Sequence, residues 1–168
     1  MQAESVKIIE ATATDVPAIG SFFLEMWRQS GPDAPGFAGA TEAVIAEIAA
    51  PDAILARIGG PDRRMFLAYA GDSVVGVAAT RAIDTKRLEL AGVVVLETMT
   101  GRGVGTPLVE AAVGSARDHG HDVIQVKTET DNGRALRFYQ SRGFAVCGQS
   151  TEDVEGTTVR VIELERYL

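Results

Sequence analysis

Apolar residues recur at helical spacing in the first third of the chain. Four of them predict a helix that ends near Gln29, and the Gly- and Pro-rich segment 30–39 after it predicts a loop. These four residues are Ile19, Phe22, Phe23 and Met26. A second helix is predicted over residues 41–50, and a Gly-Gly-Pro turn begins at Gly59. The first third is therefore expected to supply two helices.

Strand-like segments dominate the next part of the chain. Before the first helix, residues 6–10 alternate weakly and predict a short first strand. Residues 65–70 and 74–83 are separated by a Gly-Asp turn, which is a hairpin signal, and residues 87–96 follow a second turn. Consecutive strands joined by such short turns are expected to be antiparallel.

A helical period returns after this run of strands. Apolar residues four apart predict a helix over residues 103–119 with one buried stripe. The stripe consists of Val104, Leu108, Ala112 and Ala116. The remaining predicted elements are a strand over 123–128, a short helix over 132–141 and strands over 145–149 and 158–164. This order predicts an α/β (α+β) fold with a mixed, mostly antiparallel seven-stranded sheet and helices on both faces, in a single domain spanning residues 1–168.

Composition narrows the class of protein. The net charge of −7 argues against a nucleic-acid-binding protein, which usually has a basic face. The longest uncharged apolar stretch, residues 90–96, is far below the ~20 residues that span a bilayer, so no membrane partner is expected. The single cysteine, Cys147, is expected to be a buried strand residue, and it fits a reducing compartment. With no signal peptide pattern at the N-terminus, a cytoplasmic location is predicted.

Three glycines lie where the third long strand must turn into a helix. They are Gly101, Gly103 and Gly105, and Arg102 stands among them. Glycine allows positive φ and close approach of a ligand, and the first amides of a helix lack internal partners, so a pyrophosphate is the expected ligand. A dinucleotide fingerprint is excluded because Thr106 stands where its third glycine is needed, and a P-loop because Gly-Lys-Ser/Thr is absent. Glycines also simply make turns, so that interpretation stays open.

Two motifs resemble those of the GNAT superfamily of acyl-CoA-dependent N-acyltransferases. Residues 100–105 are similar to the family's Gln/Arg-x-x-Gly-x-Gly/Ala turn, with Thr100 in place of Gln or Arg. Residues 132–144 match Asn-x-x-Ala-x-x-Phe-Tyr-x-x-x-Gly-Phe at every fixed position. These positions are Asn132, Ala135, Phe138, Tyr139, Gly143 and Phe144. The resemblance implies the GNAT fold, with one phosphate contact weakened at Thr100 and the backbone amides and Arg102 left to compensate.

The resemblance implies acetyl-CoA as the acyl donor, and no metal is expected. In the family the fourth strand separates from the fifth, and its backbone pairs with the pantetheine arm. A Val run would also suit a plain buried strand, and the two interpretations are compatible because the coenzyme contacts use the main chain. The residues expected to contact acetyl-CoA are Val93, Val94, Val95, Gly101, Arg102, Gly103, Val104, Gly105, Thr106, Asn132 and Ala135.

Two side chains are candidates for the chemistry. Tyr139 occupies the position of the family's tyrosine, which implies a general acid that protonates the departing CoA thiolate. Glu89 resembles, by its distance from the glycine turn, a glutamate that is the general base in histone-type members. Because alternate strand residues share a face, it is expected to point the same way as Ala91, Val93 and Val95. The alternative is that Glu89 is a solvent-facing charge near the end of its strand and that water is the base. An amide near Val95 is expected to stabilise the oxyanion.

These observations predict an N-acetyltransferase that moves an acetyl group from acetyl-CoA to a primary amine by direct attack in a ternary complex. The acceptor is expected to be a small-molecule or peptide amine. Trp27 and Phe37 lie in the region that forms the acceptor pocket in the family. Two other functions stay open: an acyl-CoA-binding module without turnover, and a structural protein with a decayed site. A homodimer is one of the open oligomeric states, because many members of the family are dimers.

Overall fold

The computed structural model describes residues 5–33, 40–154 and 156–168, and strands within these ranges form one seven-stranded sheet. The strands are β1 Lys7–Glu10, β2 Arg63–Ala70, β3 Ser73–Ala82, β4 Arg87–Val95, β5 Val123–Glu129, β6 Ala145–Val154 and β7 Thr157–Tyr167. Their spatial order is β1-β2-β3-β4-β5-β7-β6. Only the β4–β5 pair is parallel, and the other five pairs are antiparallel. The predicted mixed, mostly antiparallel sheet is therefore confirmed.

Five α-helices accompany the sheet in the described part of the chain. They are α1 Val16–Ser30, α2 Glu42–Ile48, α3 Pro51–Ile58, α4 Gly105–Asp118 and α5 Gly133–Ser141. The sequence predicted only one helix between the first loop and the Gly59 turn, but the structure has two. The second of them begins at Pro51, because proline lacks an amide hydrogen and is tolerated at the first position of a helix. None of the described helices has the length and apolar character needed to cross a membrane.

The helices cover both faces of the sheet, as predicted. The four apolar residues predicted for α1 are all buried, and so are the four predicted for α4. Gly76 of β3 lies under α4, since an added Cβ would come within 3.0 Å of the Leu108 and Val104 side chains. Phe23 of α1 and Ile48 of α2 line instead a common cleft with Val77, the neighbour of Gly76 on β3. Because strand neighbours point to opposite faces, α1 and α2 lie on the face opposite α4.

The fourth strand changes its pairing at Ala91. Ala79 of β3 stands opposite Gly92, whereas Thr80 stands opposite Leu90, so Ala91 is an extra residue in a β-bulge. The parallel ladder with β5 also ends at Leu90, which pairs with Val126. Beyond this point, among the described strands, β4 is paired on its β3 side only, and a gap opens between β4 and β5.

The bulge corrects the predicted face of Glu89. Cross-strand partners share a face of the sheet. Glu89 pairs with Arg81 and Val94 pairs with Val77, and these two β3 residues are four apart, so Glu89 and Val94 point to the same face. Val93 pairs with Ala78, so its side chain points to the other face, and Val95 follows it. The prediction that Glu89, Val93 and Val95 point the same way is wrong, because the extra residue reverses the alternation.

A second bulge corrects the prediction for the cysteine. The β6–β7 register shifts between Val146 and Gly148, which leaves Cys147 as the extra residue. Its side chain is exposed and its thiol donates to the Glu163 carbonyl at 3.4 Å. The prediction that Cys147 is buried is therefore wrong.

Candidate active site

The glycine turn before α4 presents free amides. Gly101 and Gly103 both have φ of 78°, a conformation that favours glycine. The Arg102 amide donates to the Met99 carbonyl at 3.3 Å. Among the described residues, none of the amides of residues 103–106 donates a hydrogen bond to the protein. These amides stand at the positive end of the α4 dipole, which is a favourable position for an anion.

Gly105 has a different role from the other two glycines. A Cβ at this position would lie 3.1 Å from the Phe138 ring, so glycine allows α5 to pack closely against the first turn of α4. Arg142 stands over the same ring, with Cζ 5.0 Å from its centroid. Its Nε donates to the Thr106 hydroxyl at 2.9 Å, and its Nη2 donates to the same oxygen. These contacts join the two sequence motifs into one unit and leave the amide of Thr106 available.

Thr100, the residue that departs from the family pattern, is directed back into its own turn. Its hydroxyl donates to the Leu96 carbonyl at 3.3 Å. Its amide donates to the Glu97 carbonyl at 3.2 Å. This pairing fits the expectation that the side chain at this position adds little to phosphate binding.

A cleft of about 610 Å³ follows the gap between β4 and β5. Of the predicted site residues, it is lined by Glu89, Val93, Val94, Asn132, Ala135 and Tyr139. Val95 and residues 101–106 do not line it and lie toward the N-terminal end of α4. Phe138, whose ring contacts Gly105, connects that end to Tyr139 of the cleft. The predicted residues therefore fall into two adjoining parts, the turn and the cleft.

Tyr139 borders the cleft from within the core. The residue is only 6% exposed, and its ring makes edge-on contacts with Phe138 and Phe144 at centroid distances of 5.2 and 5.6 Å. Burial raises the pKa of the Tyr139 phenol to about 12. Its hydroxyl makes no hydrogen bond within the described ranges, although the residue lines the cleft. The site thus contains a protonated phenol with an unused donor.

Asn132 caps α5, as its residue type predicts. Its Oδ1 accepts from the Ala135 amide at 3.1 Å. Both residues line the cleft next to Tyr139. The cap therefore fixes the first turn of the helix that carries the phenol.

Glu89 is paired rather than free in solvent. Its Oε2 accepts from Arg81 Nη2 at 2.8 Å, and its side chain is 22% exposed. Arg81 was not predicted as a site residue. The two residues stand opposite each other on the β3–β4 ladder, and the turn predicted between their strands was the only indication of this pairing.

Two other arginines in the cleft, Arg57 and Arg63, were also missed. They come from α3 and β2, and no local pattern in the chain links them. Trp27 packs half-buried against the core and does not line the cleft, while Phe37 lies outside the described residues. Across the described ranges, no group of three or more His, Cys, Asp or Glu residues is placed to hold a metal.

Residues 24–144 match the model of the acetyltransferase (GNAT) family. The chain belongs to this family. Two curated relatives are each 30% identical to it. The uncharacterized N-acetyltransferase YvbK of Bacillus subtilis matches over 81 residues, which are 48% of this chain and 52% of the relative. The streptothricin acetyltransferase of Streptomyces lavendulae matches over 98 residues, which are 57% of this chain and 52% of the relative. The chain thus spans about half the length of the curated relatives it matches.

The GNAT fold extends over nearly the whole chain. The crystal structure of PaiA N-acetyltransferase from Thermoplasma acidophilum in complex with coenzyme A superposes with a TM-score of 0.73 at 20% identity, covering 98% of this chain and 99% of that one. At this identity the likeness shows the fold alone. The family and fold expected from the two GNAT motifs are confirmed.

Proposed function

We propose that this GNAT protein is an N-acetyltransferase that moves an acetyl group from acetyl-CoA to a primary amine by direct attack in a ternary complex. The observation that carries the proposal is the row of free amides over residues 103–106, joined through Phe138 to the phenol of Tyr139. Membership of the GNAT family and the acetyltransferase names of two relatives support it.

Acetyl-CoA has a natural place along these features. The diphosphate accepts hydrogen bonds from the amides of residues 103–106, with Gly101 and Arg102 beside it. The pantetheine arm follows the edge of β4 that faces the gap, along Val93, Val94 and Val95. Asn132 and Ala135 border the arm from the start of α5. An amide near Val95 donates to the thioester carbonyl and stabilises the oxyanion as it forms.

The reaction then requires two proton movements. The lone pair of a neutral amine attacks the thioester carbon, so a C–N bond forms and the C–S bond breaks. The amine nitrogen gives a proton to Glu89 or to water, and the leaving sulfur receives one through Tyr139. A phenol with a pKa of about 12 is a weaker acid than a thiol, whose pKa is about 8.5. Tyr139 therefore donates a hydrogen bond to the sulfur as negative charge develops there. It passes its proton to the sulfur only as the proton that the amine released, carried by Glu89 or water, replaces it, so that one proton moves in all from nitrogen to sulfur.

The glutamate is suited to the base role by its position in the cleft. Arg81 occupies one oxygen of the Glu89 carboxylate, and the other oxygen makes no hydrogen bond within the described residues. Because Glu89 faces the side of the sheet covered by α1 and α2, an acceptor amine would approach from that side. Water is the alternative base, and the activity of a Glu89→Gln variant distinguishes a glutamate base from a water base.

Release of free thiol with a panel of amines tests the proposal. The panel includes streptothricin, because the Streptomyces relative is named for it. Tyr139→Phe is expected to lower kcat by about 10²–10⁴-fold, the usual range for a general acid, with little change in calorimetric binding of acetyl-CoA. Tyr167→Phe is the matched control, since Tyr167 is 76% exposed on β7. Binding of acetyl-CoA without thiol release from any amine would favour a binding module, and absence of binding would favour a structural role.

A further inference from the structure

Three arginines form a row on the wall of the cleft away from α4. Arg57 comes from α3, Arg63 from β2 and Arg81 from β3, and all three line the cleft. Arg63 and Arg81 stand directly opposite each other on the β2–β3 ladder. Like charges in this arrangement repel each other, so the row is unfavourable unless anions neutralise it.

Only one arginine of the row has an anionic partner. Arg81 pairs with Glu89, but within the described residues neither Arg57 nor Arg63 makes an ion pair or a side-chain hydrogen bond. Arg57 is half-buried, and burial together with the charge of Arg63 lowers the pKa of its guanidinium. The other cleft acids, Glu129 and Glu152, lie beyond β4, and Glu152 is paired with Lys127 at 2.7 Å. Two positive charges without an anionic partner among the described residues therefore line the cleft that also holds Glu89, in a protein whose net charge is −7.

Building on the proposed transfer to an amine, we propose that Arg57 and Arg63 bind an anionic oxyacid group of the acceptor. The acceptor is then an amine that also carries a carboxylate or a phosphate. A guanidinium is suited to this role because its planar donors match such groups bidentately. The cationic pair would act on the acceptor while leaving the coenzyme contacts at α4 unaffected.

The row also gives the acceptor a direction. Arg63 lies on β2 and Glu89 on β4, and the spacing of neighbouring strands places their backbones about 10 Å apart. The anionic group would lie toward α3 and β2, and the amine toward β4 and the thioester. The two groups of the acceptor are therefore separated by several bonds.

Pairs of amines that differ only in the anionic group test this proposal. The carboxylate pair is 6-aminohexanoate and hexylamine, and the phosphate pair is 3-aminopropyl phosphate and 3-aminopropanol. Calorimetry on the full chain saturated with CoA measures binding, and thiol release from acetyl-CoA measures transfer. The anionic member of at least one pair is expected to bind about tenfold tighter or more, the usual effect of a charged hydrogen bond.

Variants assign the preference to the arginines. Arg57→Gln and Arg63→Gln are each expected to reduce the anionic preference severalfold, with the affinity for the uncharged member nearly unchanged. Arg64→Gln is the matched control, because Arg64 is adjacent on β2, points to the other face and pairs with Glu10 at 2.9 Å. Loss of a repelling charge predicts an unchanged or raised Tm for Arg57→Gln, whereas a merely structural arginine would give a lowered one.

The outcomes separate this proposal from the proposed function. Selective binding of the anionic member without thiol release would support the anion site and contradict acetyl transfer. Equal thiol release from both members of each pair would support transfer and overturn the anion site. The site is also overturned if neither anionic member binds, or if Arg64→Gln reduces the preference as much as Arg57→Gln.

Discussion

The proposed coenzyme side, at the glycine turn before α4, and the proposed acceptor side, on the cleft wall with Arg57 and Arg63, use different chemical groups. On the coenzyme side the proposed contacts are main-chain amides, which the packing of Phe138 on Gly105 and the bonds of Arg142 to Thr106 hold in place. On the proposed acceptor side the wall includes charged side chains from several elements. The contrast suggests that donor binding depends on backbone geometry and acceptor choice on side-chain charge, so each side should be alterable without the other.

Among the variants that separate the two sides, Glu89→Gln is expected to have the largest effect, and that effect is on kcat. If Glu89 is the base, kcat falls by about 100-fold, the lower end of general-base contributions, while acetyl-CoA binding is unchanged. Steady-state kinetics and calorimetry measure the two quantities. Arg81→Gln is the control, since it breaks the same ion pair but keeps the carboxylate. Equal losses in both variants would mean that Glu89 acts only as the partner of Arg81, with water as the base.

Gly105→Val tests the coenzyme side. The new side chain would press on the Phe138 ring, and relief of such overpacking moves α5 away from the turn at a cost of about 1–3 kcal/mol. Acetyl-CoA affinity is expected to fall about tenfold or more by calorimetry. Gly114→Ala is the matched control, because a Cβ added at this position of the same helix meets nothing within 4 Å, and it should leave the acetyl-CoA affinity unchanged. If the Val variant changed the ranking of acceptors instead, the separation of the two sides would be wrong.

A smaller effect is expected for Arg142→Leu. The variant removes the hydrogen bonds to Thr106 and the contact with the Phe138 ring, interactions that contribute about 1 kcal/mol. The KM for acetyl-CoA should rise about fivefold with kcat nearly constant. Arg142→Lys keeps the charge but not the planar fork, so it should resemble the Leu variant. A kcat loss with unchanged KM would place Arg142 in the chemistry rather than in support of the turn.

The pH dependence should show the smallest effect. Because burial raises the pKa of Tyr139 to about 12, its phenol stays protonated from neutral pH to about pH 10, and its ionisation should not lower kcat there. The raised pKa also means that the folded protein keeps a proton that the unfolded chain loses. The contribution of this phenol to the free energy of unfolding is therefore constant below about pH 10 and decreases as the pH rises toward about 12.

Kinetics and urea unfolding at a series of pH values, compared with Tyr139→Phe, check both statements about the phenol. Between about pH 10 and 12 the free energy of unfolding should fall less in the Phe variant than in the wild type, because the Tyr139 phenol is absent. Some of the fall should remain, because Tyr69, whose pKa is also raised to about 12, is still present. An alkaline fall of kcat below about pH 10 that is absent from the residual activity of the Phe variant would contradict the assignment.

The glycine turn and the short helix of the proposed coenzyme side could be predicted from sequence because their residues are close together in the chain. Glycines before α4 and the pattern from Asn132 to Phe144 each form a local motif. The extra residue at Ala91 could not be predicted, because the apolar run after it shows no alternation that would locate a bulge. The error over the faces of Val93 and Val95 follows from that.

The acceptor side depends on tertiary placement. Arg57, Arg63 and Arg81 meet only after α3 has packed on β2 and two hairpins have fixed the register. The missed helix α3 did have a local signal, since Pro51 and Asp52 are typical of a first turn. Its recognition would have indicated a helix that carries Arg57, but not which wall the arginine joins.

The proposed function depends first on binding of the acetyl-CoA diphosphate by the amides of residues 103–106. Titration of ¹⁵N-labelled protein with CoA, and separately with pantetheine, which lacks the diphosphate, tests it by the chemical shifts of the amides of Gly103, Val104, Gly105 and Thr106. These resonances are expected to move with CoA and to stay nearly unchanged with pantetheine. If they remain in place while calorimetry shows that CoA has saturated the protein, the claim is contradicted.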